Sequence, residues 1–434
     1  MYSGLYSTYK RIYKAIREAV KEDTVCLETL GALGGIDYTD ITSFLLLFKG
    51  ERIILDCGSF PPRFNVPIDK VLITHLHLDH CAALLDLNNF TPKSDEESKE
   101  ESKIELYTND EAINELIGVK QNLFKTITTK KTDDISGIKI DYLDLEHHNY
   151  NKVCNKKSCE DTAEHNSRMY IISDTKGKTK GKTKKEAVLF FGDLAFSTGA
   201  LYNRKEISNE IKDFTKLLIN KTKNLIVVKM VIECAFPEKA PTNALYGHIK
   251  PSILMELLKT LSEEAIISVK ETEIHVMHMK PSIIIKHKTK TLSVDYSVIK
   301  TIQNDIKKLN KPYKFNIKFP EFKSKFDPNS IIKYSHTNNI NKEVTIDIYK
   351  PTTKSDKIKD LIPMIVLTPG VFQYDGDKNL KLKIQVNQNQ MKVLQKYMNN
   401  KFWPNIFLYN QYAKNEFNKY FIITTPDTKK KMKK

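Results

Sequence analysis

The run His75-Leu76-His77-Leu78-Asp79-His80 constrains this chain more than any other stretch of it. Three imidazoles and one carboxylate fall within six residues, directly after the apolar stretch Val71-Leu72-Ile73-Thr74. On an extended chain, side chains two apart share a side, so His75 and His77 point together. Asp79 and His80 then enter the next turn and can face a second ion. Only 11 histidines occur in 434 residues, so such density after a buried strand reads as a metal site.

Around that run the pattern alternates between short strands and helices. Residues 8–22 carry Ile12, Ile16 and Val20 at helical spacing. From residue 24 strand-like runs take over. Thr24–Leu30 leads into Gly31-Ala32-Leu33-Gly34-Gly35, and Ser43–Phe48 and Arg52–Leu55 form a hairpin-like pair around Lys49-Gly50. Met169–Ile172 and Val188–Phe191 read as strands, residues 252–262 as a helix, and Ile274–His278 as a further strand. Strands alternating with helices in both halves predict α/β layers.

Two stretches cannot bury apolar surface and read as surface insertions, at 91–103 and at 174–186. Past residue 322 the chain is Asn- and Lys-rich, with strand-like runs at Val344–Tyr349 and Ile365–Thr368 and no recognisable motif. The expected organisation is an N-terminal helix at 1–23, a catalytic domain at 24–321 and a C-terminal extension at 322–434 of undetermined role.

Composition narrows the function by exclusion. The formal charge of +16 invites a nucleic-acid partner, but much of it lies in lysine tracts such as 176–185 and 429–434, where no aromatics are interleaved. Arginine, which reads bases through two hydrogen bonds, is scarce. Both points favour a solvated basic surface over a nucleic-acid groove. No apolar run reaches the length of a membrane span, and the N-terminus lacks the apolar core of a signal peptide, so a cytoplasmic chain is expected. Six scattered cysteines predict reduced thiols, and the Cys154/Cys159 pair lacks the second pair that a structural zinc would need.

The histidine run carries a resemblance to the metallo-β-lactamase superfamily, whose signature is His-x-His-x-Asp-His. Within it the chain resembles the class II cyclic nucleotide phosphodiesterases, the fungal low-affinity cyclic-AMP enzymes among them. The likeness covers about residues 24 to 321. It rests on Leu30-Gly31-Ala32-Leu33-Gly34-Gly35 with Thr42-Ser43-Phe44-Leu45-Leu46, on Ile54-Leu55-Asp56-Cys57-Gly58 and on the histidine run. Phe191-Gly192-Asp193, Ile232-Glu233-Cys234-Ala235-Phe236-Pro237, Leu245-Tyr246-Gly247-His248-Ile249-Lys250-Pro251 and His275-Val276-Met277-His278-Met279-Lys280-Pro281 follow in order.

This resemblance implies an αββα sandwich and a centre of two divalent metal ions, zinc first, with manganese or iron as substitutes. One ion would take His75, His77 and a histidine from Leu145-Glu146-His147-His148. His147, in phase with Leu143 and Leu145, is preferred over His148, and His165 is a more distant choice. The second would take Asp79, His80 and His278, with Asp193 bridging the two.

His248 is assigned to phosphate contact or leaving-group protonation, and Glu233 to orienting its ring. Pro251 would open a helix whose unpaired amides favour phosphate. Asp56 would stand behind the ligands or shape a turn, and Lys280 would add charge beside the phosphate or face solvent.

The activity implied is hydrolysis of 3′,5′-cyclic nucleotides, cyclic AMP before cyclic GMP, to 5′-monophosphates. The partner is then a small-molecule substrate, and oligomeric state is undetermined. Two alternatives remain open at this level. One is a metal-dependent transfer-RNA 3′-end endonuclease, and the other a non-catalytic binding module of the same fold.

Overall fold

The computed structural model describes residues 25–34, 42–58, 68–75, 78–81, 104–108, 137–145, 167–175, 185–196, 204–240, 248–280 and 297–320. It also gives the backbone of strands at 124–127, 282–286, 291–295, 332–335, 344–348, 372–374, 382–385 and 421–424. The expected helix at 8–22, the insertion at 91–103, residues 176–184 of the insertion expected at 174–186 and the Ile365–Thr368 strand lie outside the described residues; Asp174, Lys185 and Glu186, at the ends of that second insertion, belong to strands instead. The chain divides into two compact units. The first comprises Met1–Gly34, Thr39–Met279 and Ile299–Glu321; the second comprises Gly35–Tyr38, Lys280–Val298 and Phe322–Lys434.

The first unit holds two six-stranded sheets built on one plan. In the first sheet, β1 (Cys26–Gly31), β2 (Ser43–Phe48) and β3 (Glu51–Cys57) run antiparallel. β4 (Lys70–Leu72), β5 (Ile104–Tyr107) and β6 (Phe124–Ile127) then extend it in parallel. The second sheet repeats this. β7 (Ile138–Leu145), β8 (Ser167–Asp174) and β9 (Lys185–Phe191) are antiparallel, and β10 (Leu225–Glu233), β11 (Glu273–Met277) and β14 (Asn316–Lys318) continue in parallel.

The hairpin follows from its turn. Lys49 (φ 51°) and Gly50 (φ 81°) both take positive φ, as a two-residue turn matched to strand twist requires. The register pairs Leu47 with Arg52 and Phe48 with Glu51.

The two sheets share an apolar core. Phe44 of β2 meets Phe190 of β9 edge-on at 6.3 Å between ring centroids, and the buried Tyr170 hydroxyl of β8 donates to the Ile73 carbonyl at 2.8 Å. Lys49 reaches across to Asp174 (3.6 Å) and Glu186 (3.8 Å). β2 and β8 are buried along their whole length, so both of their faces are covered, whereas the edge strand β7 alternates.

In the second sheet α2 (Arg204–Thr222) connects β9 to β10, α3 (Pro251–Glu263) connects β10 to β11, and α4 (Ser297–Asn310) precedes β14. All three crossovers step in one direction along the sheet, so their common right-handedness puts these helices on one face. α3 buries Ile253, Leu254, Leu257, Leu258 and Leu261, the row that the sequence predicted. Two sheets face to face with helices outside form the metallo-β-lactamase arrangement that the resemblance implied.

The second unit contains a three-stranded sheet, β13 (Thr291–Asp295), β12 (Ser282–Lys286) and β17 (Phe372–Tyr374). Beside these it has a four-stranded sheet of β15 (Ile332–Ser335), β16 (Val344–Ile348), β18 (Leu382–Gln385) and β19 (Phe421–Thr424). Among the described residues no helix is long and apolar enough to cross a membrane.

Candidate metal centre

The parallel strands deliver their C-terminal ends to one place, and the chemistry-bearing residues sit there. β3 carries Asp56 as its penultimate residue, and β4 runs into Thr74 and His75. Asp79 and His80 lie on the single turn α1 (Leu78–Cys81). From the second sheet come Asp193 after β9, Glu233 at the end of β10 and His278 just after β11. His75, Asp79, His80, Asp193, His248 and His278 are all buried.

Three ligand groups converge, each with its ligating atoms within 4.8 Å of one another: His75, His80 and Asp193; Asp79, His80 and His278; Asp193, His248 and His278. Asp193 sits between them. Its Oδ1 lies 3.2 Å from His80 Nε2 and 3.5 Å from His278 Nε2, while Oδ2 lies 3.5 Å from His75 Nε2. Asp79 Oδ2 is 3.6 Å from His278 Nε2.

These spacings suit a shared cation better than direct hydrogen bonds. His80 Nε2 faces Asp193 without the alignment of a hydrogen bond. Tetrahedral bonds of about 2.0–2.1 Å to nitrogen and oxygen place neighbouring ligand atoms about 3.3 Å apart. The donor set therefore fits a divalent metal.

The far side of each imidazole is held. His80 Nδ1 lies 2.7 Å from Asp56 Oδ2, His75 Nδ1 3.0 Å from Thr74 Oγ1, and His278 Nδ1 3.1 Å from Thr42 Oγ1. Such partners orient a ligating ring and raise its basicity. Asp56 is more central than the sequence suggested. Its two oxygens accept from the Thr74 amide (2.8 Å), the Thr74 hydroxyl (3.0 Å) and the His80 ring, at a positive φ of 52°. A short polar side chain that bonds locally tolerates this conformation.

Close approach explains two glycines. A Cβ on Gly192 would overlap Ser167 Oγ and lie 2.6 Å from Thr74 Cβ, so glycine lets β9 deliver Asp193 against the β4 loop. A Cβ on Gly34 would lie 2.7 Å from His278 Nε2.

The charges reinforce one another. Burial alone would raise the Asp193 carboxyl, but the positive potential of His278, His80 and His248 holds it well below the usual range. Burial would lower His80, yet Asp193 and Asp56 push it well above its ordinary value. Beside them, the Cys234 thiol is pushed well up by burial and by Glu233, which keeps it protonated and unsuited to nucleophilic attack.

His248 and Glu233 form a second pair. His248 Nδ1 lies 3.0 Å from Glu233 Oε2, and the other Glu233 oxygen accepts the Leu194 amide. The His248 ring stacks on His278 with centroids 5.1 Å apart, which places it beside the ligand cluster.

One expectation is corrected here. The N-terminus of α3 does not offer free amides to a phosphate. The Ser252 amide donates to Glu238 Oε2 at 2.8 Å, and the Ile253 and Leu254 amides both turn to the Lys250 carbonyl at 3.0 Å. An acidic side chain already caps that helix, and Pro251 has no amide proton to give.

Of the expected ligands, His75, Asp79, His80, Asp193 and His278 come together, with His248 and Glu233 alongside. His77, His147, His148 and His165 lie outside the described residues. Sequence reasoning passed over Thr42 and Thr74 as partners of the ligand rings. The one available signal was their place in the segments Thr42-Ser43-Phe44 and Thr74-His75.

Comparison with known proteins bears on the same region. Residues 64–321, more than half of the chain, match the family model described as "cAMP phosphodiesterases class-II". A Dictyostelium discoideum protein, "cAMP/cGMP-dependent 3′,5′-cAMP/cGMP phosphodiesterase 7", is 22% identical over 378 residues, covering 65% of this chain and 81% of its own. Among solved structures, unliganded yeast PDE1 is 15% identical, with 68% of this chain and 96% of that one covered at a TM-score of 0.45. The short form of human tRNase Z is also 15% identical, covering 58% of this chain and 92% of its own at a TM-score of 0.37.

Proposed function

The chain belongs to the class-II cAMP phosphodiesterase family, and we propose that it opens the 3′,5′-cyclic phosphodiester of cyclic AMP, and of cyclic GMP as a second substrate, to the 5′-monophosphate. The observation that carries this reading is the buried convergence of His75, Asp79, His80, Asp193 and His278, with the two oxygens of Asp193 turned to different ligand rings.

In this reading the centre would hold two zinc ions. His75, with His77 and His147, would hold one; Asp79, His80 and His278 would hold the other; and Asp193 would serve both. When bound, such ions supply Lewis-acid chemistry, lowering the pKa of a water that attacks phosphorus and neutralising charge on the phosphoryl oxygens.

The chain's own residues do the rest. Asp56, Thr74 and Thr42 fix the ligand rings. Glu233 orients His248 through Nδ1, and its negative charge offsets that of a protonated ring. As the new oxygen–phosphorus bond forms and the bond to the 3′ oxygen breaks, His248 gives its proton to that departing oxygen. The basic surface and the transfer-RNA alternative enter as a control.

The test incubates zinc-loaded protein with 3′,5′-cyclic AMP and, in parallel, with a 3′-extended transfer-RNA. Formation of 5′-AMP that disappears in the double variant Asp79→Ala, His80→Ala is the expected outcome. RNA processing with cyclic AMP untouched would overturn the substrate, and unchanged turnover in the double variant would overturn the site.

A further inference from the structure

Thr42 stands outside the ligand set, in a loop 236 residues from the histidine it touches. Its side chain is fully buried, and its Oγ1 has two neighbours: the Leu33 carbonyl at 3.3 Å and His278 Nδ1 at 3.1 Å. A hydroxyl has a single proton to donate. The Leu33 carbonyl can only accept, so the proton goes there, and toward His278 the hydroxyl oxygen is an acceptor. The imidazole must then carry its own proton on Nδ1. Its Nε2 is left with the lone pair, directed at Asp79 Oδ2 (3.6 Å) and Asp193 Oδ1 (3.5 Å).

The reverse arrangement, with Thr42 donating to Nδ1, would set the hydroxyl lone pairs against the Leu33 carbonyl and put a proton on the ligating nitrogen. It is disfavoured at both ends. We propose that Thr42 is a positioning residue that selects the metal-binding tautomer of His278, through a hydroxyl whose proton is committed to Leu33.

The backbone locks the same pair. The His278 amide donates to the Ala32 carbonyl (2.7 Å) and the Gly34 amide to the Met279 carbonyl (3.2 Å), while the Thr42 amide joins its hydroxyl on the Leu33 carbonyl (3.1 Å). His278 itself takes a positive φ of 59°, a conformation that the surrounding hydrogen bonds must hold. The loop 32–34 is thus wrapped around His278, and Thr42, bonded to Leu33 of that loop, meets the ring through its side chain.

Thr74 repeats the device. Its hydroxyl donates to Asp56 Oδ2 at 3.0 Å, so toward His75 Nδ1 at 3.0 Å it accepts. His75 Nε2 is left with the lone pair by the same rule.

This inference rests on His278 being a metal ligand, and the experiment separates the two. Zinc affinity is measured by chelator competition for the wild type, Thr42→Val, Thr42→Ser and His278→Ala, with folding checked by circular dichroism. Thr42→Val keeps the shape of threonine and removes the hydroxyl; Thr42→Ser keeps the hydroxyl and removes the methyl group. The Leu33 carbonyl retains the Thr42 amide in both.

The expected result is a ten- to hundred-fold loss of affinity in Thr42→Val, the size seen when the outer partner of a ligand is removed, with Thr42→Ser close to wild type. Wild-type affinity in Thr42→Val, or an equal loss in Thr42→Ser, overturns the proposal, because packing and not the hydroxyl would then matter. Full affinity in His278→Ala instead removes the ligand reading beneath it. If Thr42→Val does not fold, Thr42→Ala against Thr42→Ser makes the same comparison.

Discussion

A methyl group at Gly34 probes how closely one ligand ring is held. The added Cβ would stand 2.7 Å from His278 Nε2, 2.8 Å from Cδ2 and 2.9 Å from Cε1, closer than real Cβ contacts come. The ring has little room to yield, since Thr42 holds its Nδ1 and the Ala32 carbonyl fixes the His278 backbone amide. Gly34→Ala is therefore expected to weaken zinc binding about ten- to hundred-fold, a scale typical of disturbed ligand support, in a chelator titration. At this scale the convergence was legible, because a dense histidine and aspartate run is rare, and His75, Asp79, His80, Asp193 and His278 do meet. Their supports were legible only in part: Asp56 was expected behind the cluster without its partner being known, and Thr42 was not expected at all. Thr42 and Asp56 act through contacts 236 and 24 residues away, and nothing near them in sequence announces the partner.

Each element was readable to the extent that its own residues determine it. The Lys49-Gly50 turn and the alternation around it are local, and the hairpin stands as expected; α3 likewise presents the apolar row that its spacing predicted. The pairing of β10 with β11 and of β11 with β14 is set across long intervening segments, where period alone carries no address.

That parallel pairing has a measurable electrostatic component. Lys229 of β10 lies opposite Glu273 of β11, and its Nζ reaches Glu273 Oε1 at 2.8 Å beside the His275 ring. The His275 and Lys229 hydrogen bonds hold the Glu273 carboxyl down to about 2 against an ordinary 4.5. A depressed carboxylate stabilises the fold above its unfolded pKa, and that contribution is lost as pH falls through the folded value. Glu273→Gln is expected to cost about 0.2–1 kcal/mol near neutral pH, the range of partly exposed ion pairs. The gap to wild type should close as pH falls from about 4.5 to about 2 in denaturant titrations. A gap as large at pH 2 as near neutral pH would contradict the assignment.

On the scale of the whole molecule, the two sheets repeat one plan, and each brings strand ends to the same edge. A centre assembled this way needs both halves, because His75, Asp79 and His80 come from one and Asp193 and His278 from the other. The family match spans 64–321 and contains every one of these residues, while the formal charge of +16 belongs to the full chain of 434. Charge therefore says less about function than the site does, and residues 176–184 and 429–434 of the lysine tracts lie outside the described residues. The measurement that reaches the central claim most directly is a zinc titration of metal-free protein, following bound metal and 5′-AMP formation from 3′,5′-cyclic AMP together. The account predicts no turnover without metal and a plateau reached as two ions bind per chain. Full turnover in the metal-free protein, or two bound ions with no 5′-AMP, would contradict it.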